Sequence, residues 1–265
     1  MPSTRRVIVV GAGIGGLSAA IALASQGAQV DVLEGAALPG GKLAPLQVGS
    51  ARLDCGPTVF TMRWVFDELY ALAGEHFDRH LSLQPARTLA RHAWSSDERL
   101  DLQADIEASV DAIGDFAGVD EALRYRSFCA RSARVYRALE STYLRAPRPA
   151  GPVDLARRFG LRGLPQLVGI SPFGSLWHAL GRELRDPRLQ QLFGRYATYC
   201  GSSPFDSPAT LMLVAHVEQQ GVWLVEGGMH RLAASLADLA VTQGASLRYG
   251  AAVSEITVRD GRTTG

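Results

Sequence analysis

The chain has 265 residues, 47% of them hydrophobic and 20% charged, enough material for one large domain or two smaller ones with a real core. A net charge of +1 excludes nucleic acid as the main partner, because phosphate-rich ligands demand a basic excess. Cys55, Cys129 and Cys200 are widely spaced and form no C-x-x-C, which excludes a disulfide framework and fits reduced thiols in an intracellular protein.

The first element follows Arg5 and Arg6, and no charged residue occurs from Val7 to Val30. That pattern is open to three readings: an export signal, a membrane span or a nucleotide cradle. A span would run through Gly11, Gly13, Gly15 and Gly16, which oppose helix at its start. A signal would need a cleavage site. Instead, the strand residues VIVV lead into G-x-G-x-x-G, then alanine-rich helix formers from Leu17 to Ala24, a stop at Gly27 and a second strand, AQVDVL. This is a βαβ unit in the order that binds dinucleotides. Gly11 makes the tight turn, Gly13 lets backbone approach a pyrophosphate, and Gly16 lets the helix pack on the sheet. Glu34 stands 23 residues beyond Gly11, near the ~20 expected of an acid that accepts hydrogen bonds from ribose hydroxyls. Its charge disfavours NADP and leaves FAD and NAD open.

Next comes ALPGGKLAPLQVGSARLDCGPTVF. Gly40 and Gly41 offer a second close backbone approach, and Lys42, the only lysine in the chain, puts a positive charge where pyrophosphate would lie. His76 and His80 have the i, i+4 spacing of helical metal ligands, yet no third ligand cluster accompanies them, so no metal site is expected. From about Pro85 to Val225 the pattern is mainly helical. LARHAWSSDERLDL predicts a hairpin turning at SSDE, and IEASVDAIGDFAG and VDEALRYRSFCARSARVYRALESTYL predict helices. Proline and glycine gather at Arg145–Pro152 and Gly201–Pro208, which read as connections. Leu161, Leu164, Leu167, Ile170, Phe173, Leu176 and Trp177 are interleaved with Arg157, Arg158, Arg162 and Arg182. That mixture fits either a helix in the lipid headgroup layer or an ordinary core with solvated arginines. No other uncharged run reaches the ~20 residues of a span, so any membrane association is expected to be peripheral. Finally, ITVRDGRTTG predicts a hairpin turning at Asp260-Gly261.

E-x(5)-GGK and DCGPT after the βαβ unit, with P-x-x-x-P (Pro204 to Pro208), Glu218 and Gly227-Gly228-Met229 further on, resemble the FAD-dependent carotenoid (phytoene-type) desaturases of the amine-oxidase-like flavoprotein group. GPTVFTMRWVFDELYALAGE and ARHAWSSDERLDLQAD look most like the hydroxyneurosporene (methoxyneurosporene) desaturase branch, which inserts a C3–C4 double bond into 1-hydroxylated acyclic carotenoids. The resemblance implies an α/β fold: a Rossmann-type FAD-binding domain in two parts, residues 1–84 and 226–265, around a mainly helical substrate and membrane-facing domain, 85–225. It adds Gly56, Pro57, Thr58 and the backbone around Val253, facing the adenine, to Gly11, Gly13, Gly16, Glu34, Gly41 and Lys42 as FAD contacts. It also implies an acyclic carotenoid substrate, an unidentified electron acceptor and a cytoplasmic protein held peripherally on lipid. Two departures stand out. The family usually has arginine at Lys42, and its second flavin segment near the C-terminus is absent, so the chain reads as an N-terminal portion. Phytoene desaturation, an amine-oxidase-like reaction, a lipid-shielding carrier of the same fold and an NAD-dependent dehydrogenase are the alternatives, the last leaving GGK and DCGPT unexplained. No catalytic base is assigned; His216, Glu218 and His230 lie in the region where one would be sought.

Overall fold

The computed structural model describes residues 6–147, 150, 151, 153, 154, 157–160 and 174–265. β1 (Arg6–Val10), α1 (Ile14–Ala24) and β2 (Gln29–Leu33) form the opening βαβ unit, followed by the hairpin β3 (Pro45–Val48) and β4 (Ala51–Asp54), helix α2 (Arg63–Leu72) and strand β5 (Leu83–Pro85). The middle of the chain supplies β6 (Thr88–Ala93), β7 (Arg99–Gln103), α3 (Ile106–Ala117), α4 (Val119–Leu139), α5 (Leu176–Glu183), α6 (Pro187–Gly194) and α7 (Leu213–Gln219). Then β8 (Trp223–Val225), α8 (His230–Thr242), β9 (Ser246–Arg248), β10 (Val258–Arg259) and β11 (Arg262–Thr263) complete it. These elements make two units, Met1–Pro85 with Trp223–Gly265, and Ala86–Val222.

In the first unit a parallel sheet has the order β1-β2-β9, with Val7 beside Val30 and Val32 beside Leu247. Val30 and Val32 are buried, and so is Asp31, whose charge is met by Arg6 at 3.0 Å and Arg248 at 3.9 Å. Leu17, Ala20 and Ile21 of α1 pack with Leu232, Leu236 and Ala240 of α8 in the core of this unit. Beside them lies an aromatic cluster, in which Phe60 stacks on Phe77 at 5.6 Å and meets Phe66 at 5.0 Å. β5 and β8 pair antiparallel, Leu83 with Val225 and Pro85 with Trp223, so the chain leaves and re-enters this unit through neighbouring strands.

The second unit has its own core. Phe193 lies 4.9 Å from Phe128 and 5.5 Å from Tyr125, with Leu176, Leu180, Leu189 and Met212 packed in the same cluster. Asp105, Ser175 and Asp186 cap α3, α5 and α6 by accepting backbone N–H bonds, and Pro187 opens α6, where its missing N–H costs nothing. The SSDE turn forms as expected: Trp94 N–H donates to the Glu98 carbonyl at 2.9 Å between β6 and β7. Asp260 and Gly261 both have positive φ, 48° and 71°, as their hairpin turn requires.

Among the described residues no helix is long and apolar enough to cross a membrane. The apolar and basic run that begins at Leu161 falls mostly at 161–173, outside the described residues. Of its described members, Leu176 is wholly buried in the helical core, and Arg158 donates to the Thr142 and Pro147 carbonyls and to Asp154. Arg157 and Arg182 of the same pattern are exposed, so its described members divide between core and surface.

Candidate functional site

The turn between β1 and α1 is built around the peptide of Ala12, which is fully buried. Its N–H donates to Glu34 Oε2 at 2.7 Å, and its carbonyl accepts the Gly40 N–H at 2.8 Å. Gly11 turns the chain at φ 97° and donates to the Leu33 carbonyl at 2.7 Å. A Cβ on Gly16 would overlap the Gly11 carbonyl oxygen, so α1 can start this close to the turn only with glycine there. Gly13 differs. It caps α1 in extended geometry, φ −74°, and a Cβ there meets nothing within 4 Å. The space beside it is open.

Two further segments close on this turn. Gly13 and Gly40 form a parallel bridge, and the Cβ position of Gly41 (φ 55°) lies 3.5 Å from the Gly13 Cα. Gly56 sits directly against the Lys42 carbonyl oxygen, so DCGPT crosses over GGK with no room for a side chain. The result is a cleft of about 440 Å³. Gly13, Gly40, Lys42 and Pro57 line it together with an apolar wall that includes Phe60, Phe66 and Met229. The N–H groups of the first turn of α1 have no intrahelical partners, and no acidic residue stands in that turn to compete for them. Exposed Lys42 is the one cation among the described lining residues. This is an anion-binding arrangement with an apolar extension.

Glu34 directly follows β2 with both oxygens engaged, Oε2 by Ala12 and Oε1 by the Ala36 N–H at 2.8 Å. These backbone bonds, Ala36 first and Ala12 second, hold its carboxyl below the usual value of 4.5. A carboxylate offers about four acceptor positions, so two remain for hydroxyl donors. Ala251 N–H donates to the Glu34 carbonyl at 2.8 Å and Gly250 N–H to the Ala36 carbonyl at 3.0 Å, which brings the segment before Val253 alongside Glu34.

Asp54 is a residue whose role the sequence did not disclose. Its Oδ2 accepts the Met229 N–H at 2.9 Å, and it fills the space where Gly228, at φ 95°, would carry a Cβ. His230 Nδ1 lies 3.7 Å from Asp54 Oδ1, while its Nε2 is 3.3 Å from Arg52. The end of β4 thereby fixes the turn that sets Met229 in the cleft wall. An aspartate closing a strand and a Gly-Gly pair opening a helix were the available signals, but only folding brings them together.

The structure therefore brings Gly11, Gly13, Gly16, Glu34, Gly41, Lys42, Gly56 and Pro57 into one cradle. Thr58 is exposed outside the cleft lining, and Val253 is at the surface. In the helical unit Glu218 is buried and accepts from Arg195 Nη2 at 2.7 Å, Tyr196 Oη at 3.1 Å and Tyr199 Oη at 2.8 Å. His216 packs edge-on against Tyr136, and burial pushes its imidazole below the ordinary value. Among the described residues no group of three or more His, Cys, Asp or Glu side chains is placed to hold a metal; His80 instead lies 3.3 Å from Glu75.

Residues 14–265 match the family model for flavin-containing amine oxidoreductases. The chain belongs to that family. FAD is the cofactor that goes with it. Among curated relatives, the hydroxyneurosporene desaturase of Rubrivivax gelatinosus is 53% identical over 99% of this chain and 50% of its own length. A protein of the same name from Cereibacter sphaeroides is 46% identical over 98% of this chain and 52% of its own. The chain thus spans about half the length of the curated relatives it matches. An oxidoreductase from Methanosarcina mazei has the same fold, with a TM-score of 0.61 at 16% identity over 98% of this chain and 55% of its own.

Two expectations follow from this geometry. Gly16→Ala should destabilise the chain by about 3 kcal/mol, the upper end of overpacking costs, whereas Gly13→Ala should cost no more than about 1 kcal/mol, the loss expected when alanine replaces glycine at an N-cap. Thermal or urea unfolding of the two variants checks this, and equal losses would contradict the open space at Gly13. The lowered carboxyl of Glu34 stabilises the fold fully above pH 4.5, its ordinary value, and that contribution is lost as pH falls through the lower folded value. In acid unfolding, the deficit of Glu34→Gln relative to wild type should therefore be constant near neutrality and shrink below pH 4.5.

Proposed function

We propose that this chain supplies the cofactor cradle and part of the substrate-binding unit of an FAD-dependent carotenoid desaturase, which introduces the 3,4 double bond into a 1-hydroxylated acyclic carotenoid. The observation that carries the reading is the likeness to two hydroxyneurosporene desaturases, 53% and 46% identical along almost the entire chain. Both units are covered by it.

The cradle fits FAD. The open space at Gly13 and the unpartnered first-turn N–H groups of α1 suit a pyrophosphate, with the Lys42 ammonium as counter-charge. The two remaining acceptor positions of Glu34 suit the adenosine ribose, and the backbone near Val253 suits the adenine. Phe60, Phe66 and Met229 give that cleft an apolar side that keeps water from a planar ring. Gly11, Gly16, Gly41 and Gly56 act indirectly, by letting three backbone segments meet. Pro57 shapes the rim, and Thr58 is assigned only to the outer approach. A bound flavin supplies the two-electron oxidation; the protein binds, orients and dries.

The chain assigns no catalytic base. Glu218 is saturated by three donors and deeply buried, and His230 is tied to Arg52 and Asp54. Those arrangements favour structural roles. The reading also includes peripheral contact with lipid on the cytoplasmic side, because a water-insoluble hydrocarbon has to be collected from a membrane. The electron acceptor stays unnamed.

Two measurements test the proposal on the full-length protein that contains this chain. In FAD titrations followed by flavin fluorescence, Glu34→Gln should weaken binding modestly and Glu34→Ala roughly 10- to 100-fold, as expected for loss of charge-assisted bonds. Lys42→Met should weaken FAD but not riboflavin, which has no pyrophosphate. Equal dissociation constants throughout would remove these residues from the cofactor site. Incubation with FAD and a 1-hydroxylated acyclic carotenoid should shift the polyene absorption to longer wavelength. No shift, together with oxidation of amines, would replace the desaturase reading with an amine oxidase.

A further inference from the structure

The helical unit holds a second cleft, of about 500 Å³, that the flavin cradle does not use. Its walls are mainly apolar. Trp177 and Phe205 meet at 5.0 Å between ring centroids, and Pro187 and Pro204 complete the hydrocarbon surface. Among the described residues three polar side chains reach it: Gln191, Arg195 and Thr198. The Thr198 hydroxyl is spent on the Arg195 carbonyl at 2.7 Å, and the Gln191 carbonyl accepts the Trp94 indole N–H at 2.6 Å. The Gln191 amide and the Arg195 guanidinium remain as donors, and the Thr198 oxygen keeps acceptor capacity toward a ligand's own O–H.

Arg195 is held in an unusual way. Its Nη2 donates to Glu218 at 2.7 Å, its guanidinium lies 4.8 Å over the Tyr196 ring, and its Nε is buried with no hydrogen-bond partner among the described residues. Its side chain is 27% exposed and Glu218's is 5%. Around the pair the titratable groups stay uncharged. Burial first, then Glu218, pushes the Tyr199 phenol up to about 12 and holds Tyr196 well above its ordinary value, and burial followed by Arg195 pushes His92 down. Among the described residues one cation therefore faces one anion in this cluster. A free arginine on a cleft wall would select a carboxylate by a bidentate pair. Here the carboxylate is already present. A second anion would meet Glu218 as well as Arg195, whereas an uncharged oxygen accepts a hydrogen bond without that repulsion.

We infer that this cleft binds the oxygen-bearing end of an uncharged apolar chain, a long-chain alcohol, with Arg195 and Gln191 donating to the hydroxyl and Trp177, Phe205 and the prolines covering the hydrocarbon. This deepens the desaturase reading, on which it rests for the substrate's identity, by naming the side chains that would tell a hydroxylated end from a plain one. Arg195 is then a specificity residue and Glu218 the positioning residue behind it.

The test uses residues 1–265 with a 20-carbon polyprenyl alcohol, the corresponding acid and the corresponding hydrocarbon, followed by tryptophan fluorescence, with Trp177→Phe to tie the signal to this cleft. The alcohol should bind about tenfold more tightly than the hydrocarbon, the yield of a hydrogen bond to a charged donor, and more tightly than the acid. Arg195→Lys keeps the charge against Glu218 but loses the planar fork; it should bring the alcohol down to the affinity of the hydrocarbon and leave the hydrocarbon unchanged. Equal binding of alcohol and hydrocarbon, tighter binding of the acid, an unchanged alcohol preference in Arg195→Lys, or a signal that survives Trp177→Phe would each overturn the inference. The three-ligand comparison in the unmodified chain decides the matter if Arg195→Lys fails to fold. A full-length protein that desaturates no carotenoid would remove the desaturase reading and leave this preference standing; equal binding here would do the reverse.

Discussion

The cradle depends on one peptide group. Ala12 gives its N–H to Glu34 and its carbonyl to the Gly40 N–H, so the end of β2 and the GGK loop are both fastened to the turn before α1. Buried peptide groups have to be paired, and here the pairing joins segments from three places in the sequence. The backbone side of the cleft follows from that junction. Gly41 comes to rest on Gly13, Lys42 is brought to the cleft wall, and Gly56 crosses Lys42.

Two carboxylates show how environment divides one chemical group into different uses. Glu34 is half-buried and bonded by two backbone donors at the end of a strand, leaving acceptor positions toward the outside. Glu218 is buried and taken up by an arginine and two tyrosines. The first keeps acceptor capacity free at the strand end. The second holds the cation beside it in place.

The parts of the fold governed by local chemistry were legible in the sequence. Gly11, Gly13 and Gly16 in their strand-to-helix setting identify the turn, and the 23-residue interval to Glu34 places the acid at the end of the next strand. The SSDE and Asp260-Gly261 turns, α3 and α4 were visible for the same reason: turn residues and periodicity act within a few positions. Long-range partners were not. Nothing near Asp54 announces that it will accept the Met229 N–H across 175 residues, or that Phe60 will sit on Phe77 beside the cleft. Leu176 shows the other limit, since a leucine among arginines reads equally as lipid-facing or as core until its packing is known.

The pairing of β5 with β8 bears on the order in which the molecule assembles. Between them lie residues 86–222, and closing a loop of that length as a flexible chain would carry a large entropic cost. If the helical unit folds first, it shortens that loop before β5 and β8 meet. β9, which completes the parallel sheet, is made later still, as are the residues that pair with Glu34 and Ala36. During synthesis from the N-terminus, the glycine turn therefore emerges well before the segment at Gly250 and Ala251 that pairs beside it. A cofactor that needs that segment would be captured late, after the helical unit has become a folded body.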